Sequence, residues 1–331
     1  MTLDKILTGL SALAFVAVAG GSAAADPVLL QAATIANEGF PYVDGLRKFE
    51  EVIEARPECE IDVNVHIGGS LGNEREINEA ILEGTIHLGI GAGSMANLAP
   101  IYNLFQIPFL IQGQAHMAAV ADGPIGKEVA GLIEKQAGFR VLNWFSTGDS
   151  PLETVKAPVK SPADLVGVKM RVIPNPALVD AMKALGANPT PMAYGEVYTG
   201  LKQGVVEGAH LDVISVQNLK IFEVAKFMTD WEQITFLSEP RPVIMKATFF
   251  DSLPTKQQAC IREAMDEATA HERKVFLDKM TAIRAELVKQ GVTITKVDVG
   301  AFLDKIRPVW AKYAKDLNAE KLVERITAAK P

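Results

Sequence analysis

One short segment of the 331-residue chain has the residues of a catalytic serine motif. Residues 68–72 read Gly-Gly-Ser-Leu-Gly, which matches the G-x-S-x-G nucleophile elbow, and they lie between a predicted strand and a predicted helix. In a hydrolase of that type the elbow strand is buried in a sheet and almost continuously apolar. Here the preceding strand, residues 61–67, alternates Ile and Val with polar residues. A small-residue turn before a helix explains the motif better, and an exported hydrolase using Ser70 remains the weaker alternative.

Arg171 is the strongest candidate for binding an anion. It lies in the β-type run Lys-Met-Arg-Val-Ile at residues 169–173, where a charged side chain points either to solvent or into a cleft. A guanidinium group presents a planar fork that matches a carboxylate through two hydrogen bonds, which a lysine cannot do. The position of Arg171 just after a turn at residues 164–167 favours the cleft, with a solvated strand arginine as the alternative.

The other polar motifs argue against a metal or a nucleotide cofactor. The five histidines include no His-x-x-x-His pair, and none lies close to a cysteine in the sequence. The run Gly-Ile-Gly-Ala-Gly at residues 89–93 lacks the third glycine of a dinucleotide fingerprint, and no P-loop lysine motif is present. We therefore expect no cofactor and no metal. These glycines suit a loop at the end of a strand, where backbone N–H groups approach a ligand.

Composition and charge limit the class of protein. A hydrophobic content of 48 % with only two cysteines excludes collagen-like, disordered and disulfide-scaffold classes. The 40 acidic and 33 basic side chains give a net charge of −7, which argues against nucleic acid or an anionic membrane surface as a partner. Any attraction for an anionic ligand must therefore be local.

The first 25 residues have the features of a secretory signal peptide. Lys5 provides a positive charge, residues 6–18 form an apolar segment too short to span a bilayer, and Ala23 and Ala25 give a small-x-small cleavage pattern. We expect cleavage after Ala25 and a periplasmic mature protein that begins at Asp26.

Cys59 and Cys260 are the only cysteines of the chain. An exported protein can keep disulfides, so a bridge between them is one interpretation. Two separate buried thiols are the other, and the sequence leaves both open.

Alternating strand and helix signals predict an α/β fold. Strands at residues 29–36, 61–67 and 86–90 alternate with helices at 42–55 and 73–84. Successive strand-helix-strand units imply right-handed crossovers and a parallel sheet. A second α/β unit follows, with strands predicted at residues 169–173, 190–192 and 205–211. Three prolines between residues 151 and 162 indicate a boundary between lobes near residue 148.

A long uninterrupted helix is predicted near the end of the chain. Neither Gly nor Pro occurs between Thr255 and Gly291, so a helix there would run roughly 50 Å at 1.5 Å per residue. That length exceeds the width of one small lobe, and the helix should lie across both. We predict lobe I from residues 26–148 and 237–276, and lobe II from residues 149–236 and 277–331.

A set of motifs distributed over the mature chain resembles a known family. In order, they are Leu71–Glu76 (LGNERE), Glu83–Ile86 (EGTI), Pro108–Leu110 (PFL), Asp164–Val172 (DLVGVKMRV), Leu185–Met192 (LGANPTPM), Glu196–Leu201 (EVYTGL) and Gly204–Gly208 (GVVEG). Together they resemble the solute-binding proteins of TRAP (tripartite ATP-independent periplasmic) transporters. The resemblance covers essentially the whole mature chain.

The resemblance implies a periplasmic-binding-protein-like fold of two α/β lobes, joined by crossing strands and braced by a long helix. It implies that a small organic carboxylate is trapped between the lobes by hinge closure and delivered to membrane permease subunits. A binding protein that serves a sensor is an alternative, and the family is not enzymatic. Arg171 matches the family's carboxylate-binding arginine, and Tyr194 falls where an aromatic residue typically packs on the ligand. The protein is expected to be a monomer.

Two departures from the family pattern bear on the ligand. Many members have a second cationic residue just after the chain first passes from one lobe to the other, near residue 148. This chain has Asp149, Ser150 and Pro151 there. Many members also have an Asn shortly after the pair that corresponds to Glu207-Gly208. This chain has His210 and Asp212 there. The pocket is therefore predicted to be less cationic than in those members. His210 or Asp212 either binds ligand hydroxyls or an ammonium group or is a structural polar residue, and Arg241 is the candidate to replace the missing cation.

Further candidate ligand-binding residues come from loops and from the crossings. They are Asn37, Glu38 and Phe40 after the first strand, Gly91 and Ser94 in the glycine loop, and Trp144, Trp231 and Gln233 near the crossings.

Overall fold

The computed structural model describes residues 27–231 and 234–330, so the predicted signal peptide and Gln233 lie outside the described residues. The strands are β1 Val28–Ala33, β2 Ile61–His66, β3 Leu88–Ile90, β4 Phe139–Ser146, β5 Leu152–Thr154, β6 Lys169–Val172, β7 Asn188–Pro191, β8 Gly208–His210, β9 Phe227–Trp231, β10 Pro240–Lys246 and β11 Thr293–Val297. The α-helices are α1 Pro41–Glu54, α2 Glu74–Glu83, α3 Gln114–Ala121, α4 Pro124–Ala137, α5 Pro176–Ala184, α6 Val197–Lys202, α7 Val213–Asn218, α8 Ala247–Ser252, α9 Thr255–Lys289, α10 Gly300–Asp316 and α11 Glu320–Ala328.

The first sheet has the strand order β2-β1-β3-β10-β4. Strands β2, β1 and β3 are parallel, which confirms the parallel sheet predicted from the strand-helix-strand units. Strand β10 returns from far along the chain and pairs antiparallel with both β3 and β4. The polar alternation in β2 agrees with its position at the edge, where one face meets solvent.

The second sheet has the order β11-β9-β5-β8-β6-β7 and is mixed. Strand β6 is parallel to β7 and β8, whereas β5 is antiparallel to β8 and β9. The sequence did not predict β5, β9 or β11. Each has five residues or fewer, and β11 has the polar pattern Thr-Ile-Thr-Lys-Val, so pairing partners rather than local pattern make it a strand.

Helix α2 lies within the helix predicted for residues 73–84, and a capping box holds its start. The Asn73 side chain accepts hydrogen bonds from Arg75 N and Glu76 N at 3.0 and 3.2 Å, and Glu76 Oε2 accepts from Asn73 N at 2.7 Å. The helix ends at Gly84, which takes the left-handed conformation with φ of 87°. This cap fixes Glu74 as the first helical residue, at the opening between the two sheets.

Two chain segments cross side by side between the sheets. Beyond β4, Ser150 N donates to Leu237 O at 2.9 Å, and Thr147 Oγ1 donates to Glu239 O at 3.1 Å. Gly148 lies at this crossing with φ of 69°, and a Cβ there would approach the Phe276 ring to 2.1 Å. Only a glycine therefore lets the crossing pack against α9.

Helix α9 connects the two sheets as its length predicts. Its 35 residues span about 52 Å at 1.5 Å per residue. The first half packs on α1 and β4, where Asn143 Nδ2 donates to Asp266 Oδ1 at 2.8 Å. The helix also packs on α7, and Arg284 in its second half forms an ion pair with Asp230 of β9 in the second sheet. One helix thus braces both lobes, and none of the helices described is long and apolar enough to cross a bilayer.

Cys59 and Cys260 form a disulfide, which resolves the alternative left open by the sequence. The bridge joins the turn after α1 to the first half of α9. Beside it, Arg56 forms ion pairs with Glu263 and Glu267 at 2.8 and 2.6 Å. The bridge closes a separation of 201 residues, so it restricts the unfolded chain strongly.

We expect removal of this disulfide to lower the free energy of unfolding by about 2–5 kcal/mol. Urea denaturation of the oxidised protein, the reduced protein and the Cys59→Ala/Cys260→Ala variant measures the effect. The double variant must itself be insensitive to reductant. Equal stability of the oxidised and reduced wild-type protein contradicts this role.

Glu272 is a fully buried residue of α9, and its carboxyl group lies beside the end of β4. Its Oε2 accepts a hydrogen bond from Ser146 N at 3.1 Å, and its Oε1 has no partner among the described residues. Gly45 of α1 permits the close approach, because a Cβ there would lie 3.0 Å from Glu272 Cβ. Burial raises the pKa of Glu272 well above its ordinary value of 4.5.

We expect Glu272→Gln to stabilise the protein at pH 8 and to have little effect at pH 4. The folded state holds a proton on Glu272 that the unfolded state releases near pH 4.5, so its stabilising contribution is lost as the pH rises. Glutamine keeps the acceptor for Ser146 N without this loss. A gain of about 1 kcal/mol or more is expected, since one pKa unit is about 1.4 kcal/mol.

Urea titrations at several pH values measure this difference, with the exposed Glu324→Gln as the control variant. A Glu272→Gln variant with the same pH profile as the wild type contradicts the assignment.

Candidate functional site

A cavity lies between the two sheets at the carboxyl ends of their parallel strands. We call it the inner cavity; it has a volume of about 70 Å³. Its lining residues come from the ends of β1, β3, β6 and β8, from the segment after β7, from the starts of α1, α2 and α7, and from both crossing segments. They are Thr34, Ile35, Ala36, Phe40, Tyr42, Glu74, Ile90, Ala92, Thr147, Ser150, Arg171, Ile173, Tyr194, His210, Leu211, Asp212, Ser215, Leu237, Glu239 and Arg241. Strand ends from two sheets meeting at a crevice form the usual ligand site of α/β proteins.

A larger opening adjoins the inner cavity, with a volume of about 910 Å³. We call it the outer cleft. It shares Ile35, Glu74, Arg171 and Tyr194 with the inner cavity. It is also lined by Asn37, Ser94 and other polar residues. The two spaces together form one path from solvent to Arg171.

Arg171 carries a buried positive charge with no ionic partner among the described residues. The residue is 2 % exposed, and its only hydrogen bond within the described chain runs from Nε to Met192 O at 3.1 Å. Burial lowers the pKa of Arg171 to about 10, so the guanidinium stays charged at neutral pH. Because Nε is occupied, the two Nη groups are left for a ligand in the cavity.

Arg241 lines the same cavity but is already neutralised. It forms ion pairs with Glu239 and with Glu74, whose Oε1 lies 3.1 Å from Arg241 Nη1. Burial by itself would lower the pKa of Arg241, but the Glu239 carboxylate raises it above the ordinary value. Burial raises the pKa of Glu239 to about 7 even though Arg241 opposes the shift. We call these three residues the Arg241 clamp.

A chain of hydroxyl groups crosses the floor of the cavity. Tyr194 Oη donates to Ser215 Oγ at 3.1 Å, and Ser215 Oγ donates to Asp212 Oδ2 at 2.5 Å. Asp212 is also the N-cap of α7, because its Oδ1 accepts from Ser215 N at 2.9 Å. The predicted site residues Tyr194 and Asp212 are therefore held in place by the start of one helix. Burial raises the pKa of both residues.

His210 is the last residue of β8 and is 2 % exposed. Burial, together with the charges of Arg171 and Arg241, lowers its pKa to about 3. The ring is therefore neutral, and its Nε2 has no hydrogen-bond partner among the described residues. A neutral imidazole offers one donor and one acceptor, which suits a hydroxyl group rather than a charged group.

The charge of the inner cavity follows from these contacts. Two guanidinium groups face three carboxyl groups, those of Glu74, Asp212 and Glu239. Arg241 is paired with two of them, and Asp212 is held by hydrogen bonds from Ser215. Arg171 is the cation that remains for an anionic ligand.

Seven of the predicted site residues line the inner cavity or the outer cleft. Phe40, Arg171, Tyr194, His210 and Asp212 line the inner cavity. In contrast, Asn37 and Ser94 line the outer cleft.

The remaining predicted residues lie elsewhere. Glu38 is exposed and pairs with Arg47, and Gly91 packs against Met95 and Pro242. Trp144 and Trp231 belong to the hydrophobic core, because their rings pack edge-on against neighbouring phenylalanine rings.

Several cavity residues escaped the sequence-based prediction. They are Tyr42, Glu74, Thr147, Ser215 and Glu239. A local signal exists only for Glu239, which stands two residues before Arg241 in extended chain, so that the two side chains share a face. Glu74 reaches the cavity through tertiary contacts with no local signature.

Ser70 lacks the surroundings of a catalytic nucleophile. It is exposed, and among the described residues its side chain has no hydrogen bond to a histidine or carboxylate. Asp212 instead caps α7, and His271 is exposed on α9. Nor do the described residues include a group of three His, Cys, Asp or Glu side chains placed to hold a metal ion.

Comparison with known proteins identifies a family of bacterial solute-binding proteins. Residues 32–316 match the model of the family described as bacterial extracellular solute-binding protein, family 7. The 2,3-diketo-L-gulonate-binding periplasmic protein of Escherichia coli is 31 % identical over 262 residues, covering 78 % of this chain and 79 % of that protein.

Two solved structures extend the comparison. One is a TRAP periplasmic solute-binding protein from Roseobacter denitrificans with bound β-D-glucuronate, with a TM-score of 0.86, 28 % identity, and coverage of 91 % of this chain and 100 % of that one. The other, from Bradyrhizobium with α/β-D-galacturonate, has a TM-score of 0.85, 32 % identity, and coverage of 90 % and 99 %. The chain therefore belongs to bacterial extracellular solute-binding protein family 7, the family of TRAP transporter solute-binding proteins.

Proposed function

We propose that this protein captures a sugar acid of the uronate class at Arg171, where the inner cavity meets the outer cleft, and delivers it to TRAP permease subunits. The observation that carries the proposal is the buried Arg171 guanidinium, which has no carboxylate partner among the described residues. A buried charge is costly unless it is paired, and an incoming carboxylate supplies the pair. The glucuronate and galacturonate named for the two solved relatives are ligands of that type.

Arg171 is oriented to hold a carboxylate through two parallel hydrogen bonds. Its Nε is fixed on Met192 O, so the guanidinium plane is set before the ligand arrives. A fork of two Nη groups then meets the two carboxylate oxygens, and the low exposure of the site strengthens the attraction. Tyr194 adjoins Arg171 and supplies an aromatic surface for the ligand.

The same geometry supports a closure of the two lobes around the ligand. We propose hinge motion between lobe I, residues 26–148 and 237–276, and lobe II, residues 149–236 and 277–331. The hinge consists of the paired crossing segments and α9, which are the connections that run between the two sheets. Ligand contacts from both lobes stabilise the closed form over the open one.

Transport by this route requires a mobile carrier outside the cytoplasmic membrane. We propose that the chain is exported, cleaved after Ala25, and acts as a monomer in the periplasm. The signal features of residues 1–25 and the family relationship support this proposal.

We expect Arg171→Ala to weaken the binding of D-galacturonate and D-glucuronate by about 30-fold or more. Truncating one partner of a buried, hydrogen-bonded charge pair costs about 2–5 kcal/mol. Arg171→Lys should also bind weakly, because an ammonium group cannot make the paired contact. Isothermal titration calorimetry measures both affinities.

The matched controls are Arg307→Ala and Arg307→Lys, since Arg307 is largely exposed and pairs with Asp304 on the surface of α10. Thermal unfolding of every variant verifies that it folds. Wild-type affinity in a folded Arg171→Ala variant removes Arg171 from the site.

We also expect the exported protein to begin at Asp26. Expression of the full-length chain in a Gram-negative host, followed by periplasmic extraction and N-terminal sequencing, locates the cleavage site. An Ala25→Arg variant should accumulate as the uncleaved precursor because the cleavage pattern requires a small residue there. A periplasmic protein that keeps Met1 contradicts the proposal.

A further inference from the structure

Several buried polar atoms around the inner cavity have no partner among the described residues. They are His210 Nε2, Glu239 Oε2, Arg241 Nε and Tyr42 Oη, and all four residues line the cavity. A buried donor or acceptor without a partner is unfavourable, so a ligand that supplies the missing partners gains affinity. In the structure these atoms have almost no accessible surface, so they describe the groups that the cavity wall offers once its side chains adjust around a ligand bound at Arg171.

The unpartnered atoms are a mixture of donors and acceptors. Glu239 Oε2 accepts, Arg241 Nε donates, and the neutral His210 ring and the Tyr42 hydroxyl do either. A hydroxyl group both donates and accepts, so adjacent ligand hydroxyls match such a set. A carboxylate only accepts and would leave Glu239 Oε2 without a donor.

The Arg241 clamp determines how many negative charges the cavity accepts. Glu239 and Glu74 both pair with Arg241, so this guanidinium is not available as a second cation. A second ligand carboxylate beside the clamp would face Glu239, Glu74 and Asp212. Juxtaposed like charges in a buried site are strongly unfavourable and suppress binding of the wrong partner.

Building on the proposed function, we propose that the Arg241 clamp restricts the site to polyhydroxy acids with a single carboxylate and excludes the corresponding dicarboxylates. In this arrangement the ligand carboxylate binds Arg171, and the ligand hydroxyls donate to Glu239 and accept from Arg241. Glu239 and Glu74 are specificity-determining residues because they neutralise Arg241.

The test compares open-chain acids that differ only in the second charge. D-Gluconate and D-glucarate have the same carbon skeleton, and only the terminal CH₂OH of the former is a carboxylate in the latter. D-Galactonate and galactarate form a second pair. Calorimetry at pH 8, above the pKa of about 7 for Glu239, keeps the clamp ionised. We expect the wild type to bind each monocarboxylate at least about tenfold more tightly than its dicarboxylate.

Glu239→Gln keeps the shape of the side chain and removes one negative charge from the clamp. It should narrow the ratio of D-glucarate to D-gluconate dissociation constants by about tenfold. Glu74→Gln provides a second variant in case the first does not fold. The control is Glu324→Gln, which changes the net charge equally but lies on the exposed surface of α11, away from the inner cavity and the outer cleft.

The outcomes separate this proposal from the proposed function. If D-galacturonate binds and D-glucarate binds as tightly as D-gluconate, the charge restriction is wrong while acid binding stands. An unchanged ratio in both folded clamp variants also overturns it. If neither uronates nor the four open-chain acids bind, the proposed function and this inference both fail.

Discussion

The buried guanidinium of Arg171 is the constraint on which the rest of the site depends. A positive charge at 2 % exposure requires a compensating anion, and none of the described carboxylates forms a salt bridge with it. The bond from Nε to Met192 O fixes its orientation without neutralising it. An acidic protein with a net charge of −7 can therefore attract an anion at one place.

Among the described residues that line the inner cavity, Arg171 is the one cation without an ionic partner. Arg241 is as well placed as Arg171, but two carboxylates occupy it. Asp212 is held by the N-terminus of α7, and burial keeps His210 neutral. Ion pairing neutralises Arg241, and desolvation keeps His210 uncharged, so Arg171 is the cation left in the cavity. The groups around it can hydrogen-bond to hydroxyls, which is a suitable environment for a sugar acid.

The scaffold brings these groups together from distant parts of the chain. Glu74 and Arg241 are separated by 167 residues, and strand β10 places Arg241 beside the end of the first sheet. The disulfide between Cys59 and Cys260 and the packing of α9 on both lobes hold this arrangement. The glycine at position 148 allows the crossing to lie against α9.

The sequence by itself determined the features that depend on local pattern. Periodicity predicted the parallel strands of the first sheet and the helices α1 and α2 between them, and the absence of Gly and Pro predicted the long α9. The chemistry of Arg171, together with the family motifs, indicated the candidate residue for binding an anion. Tertiary structure alone decided the pairing of Arg241, the disulfide, and the burial of Trp144 in the core. The reason is physical: propensity acts over a few residues, whereas the charge and accessibility of a side chain depend on neighbours that are remote in sequence.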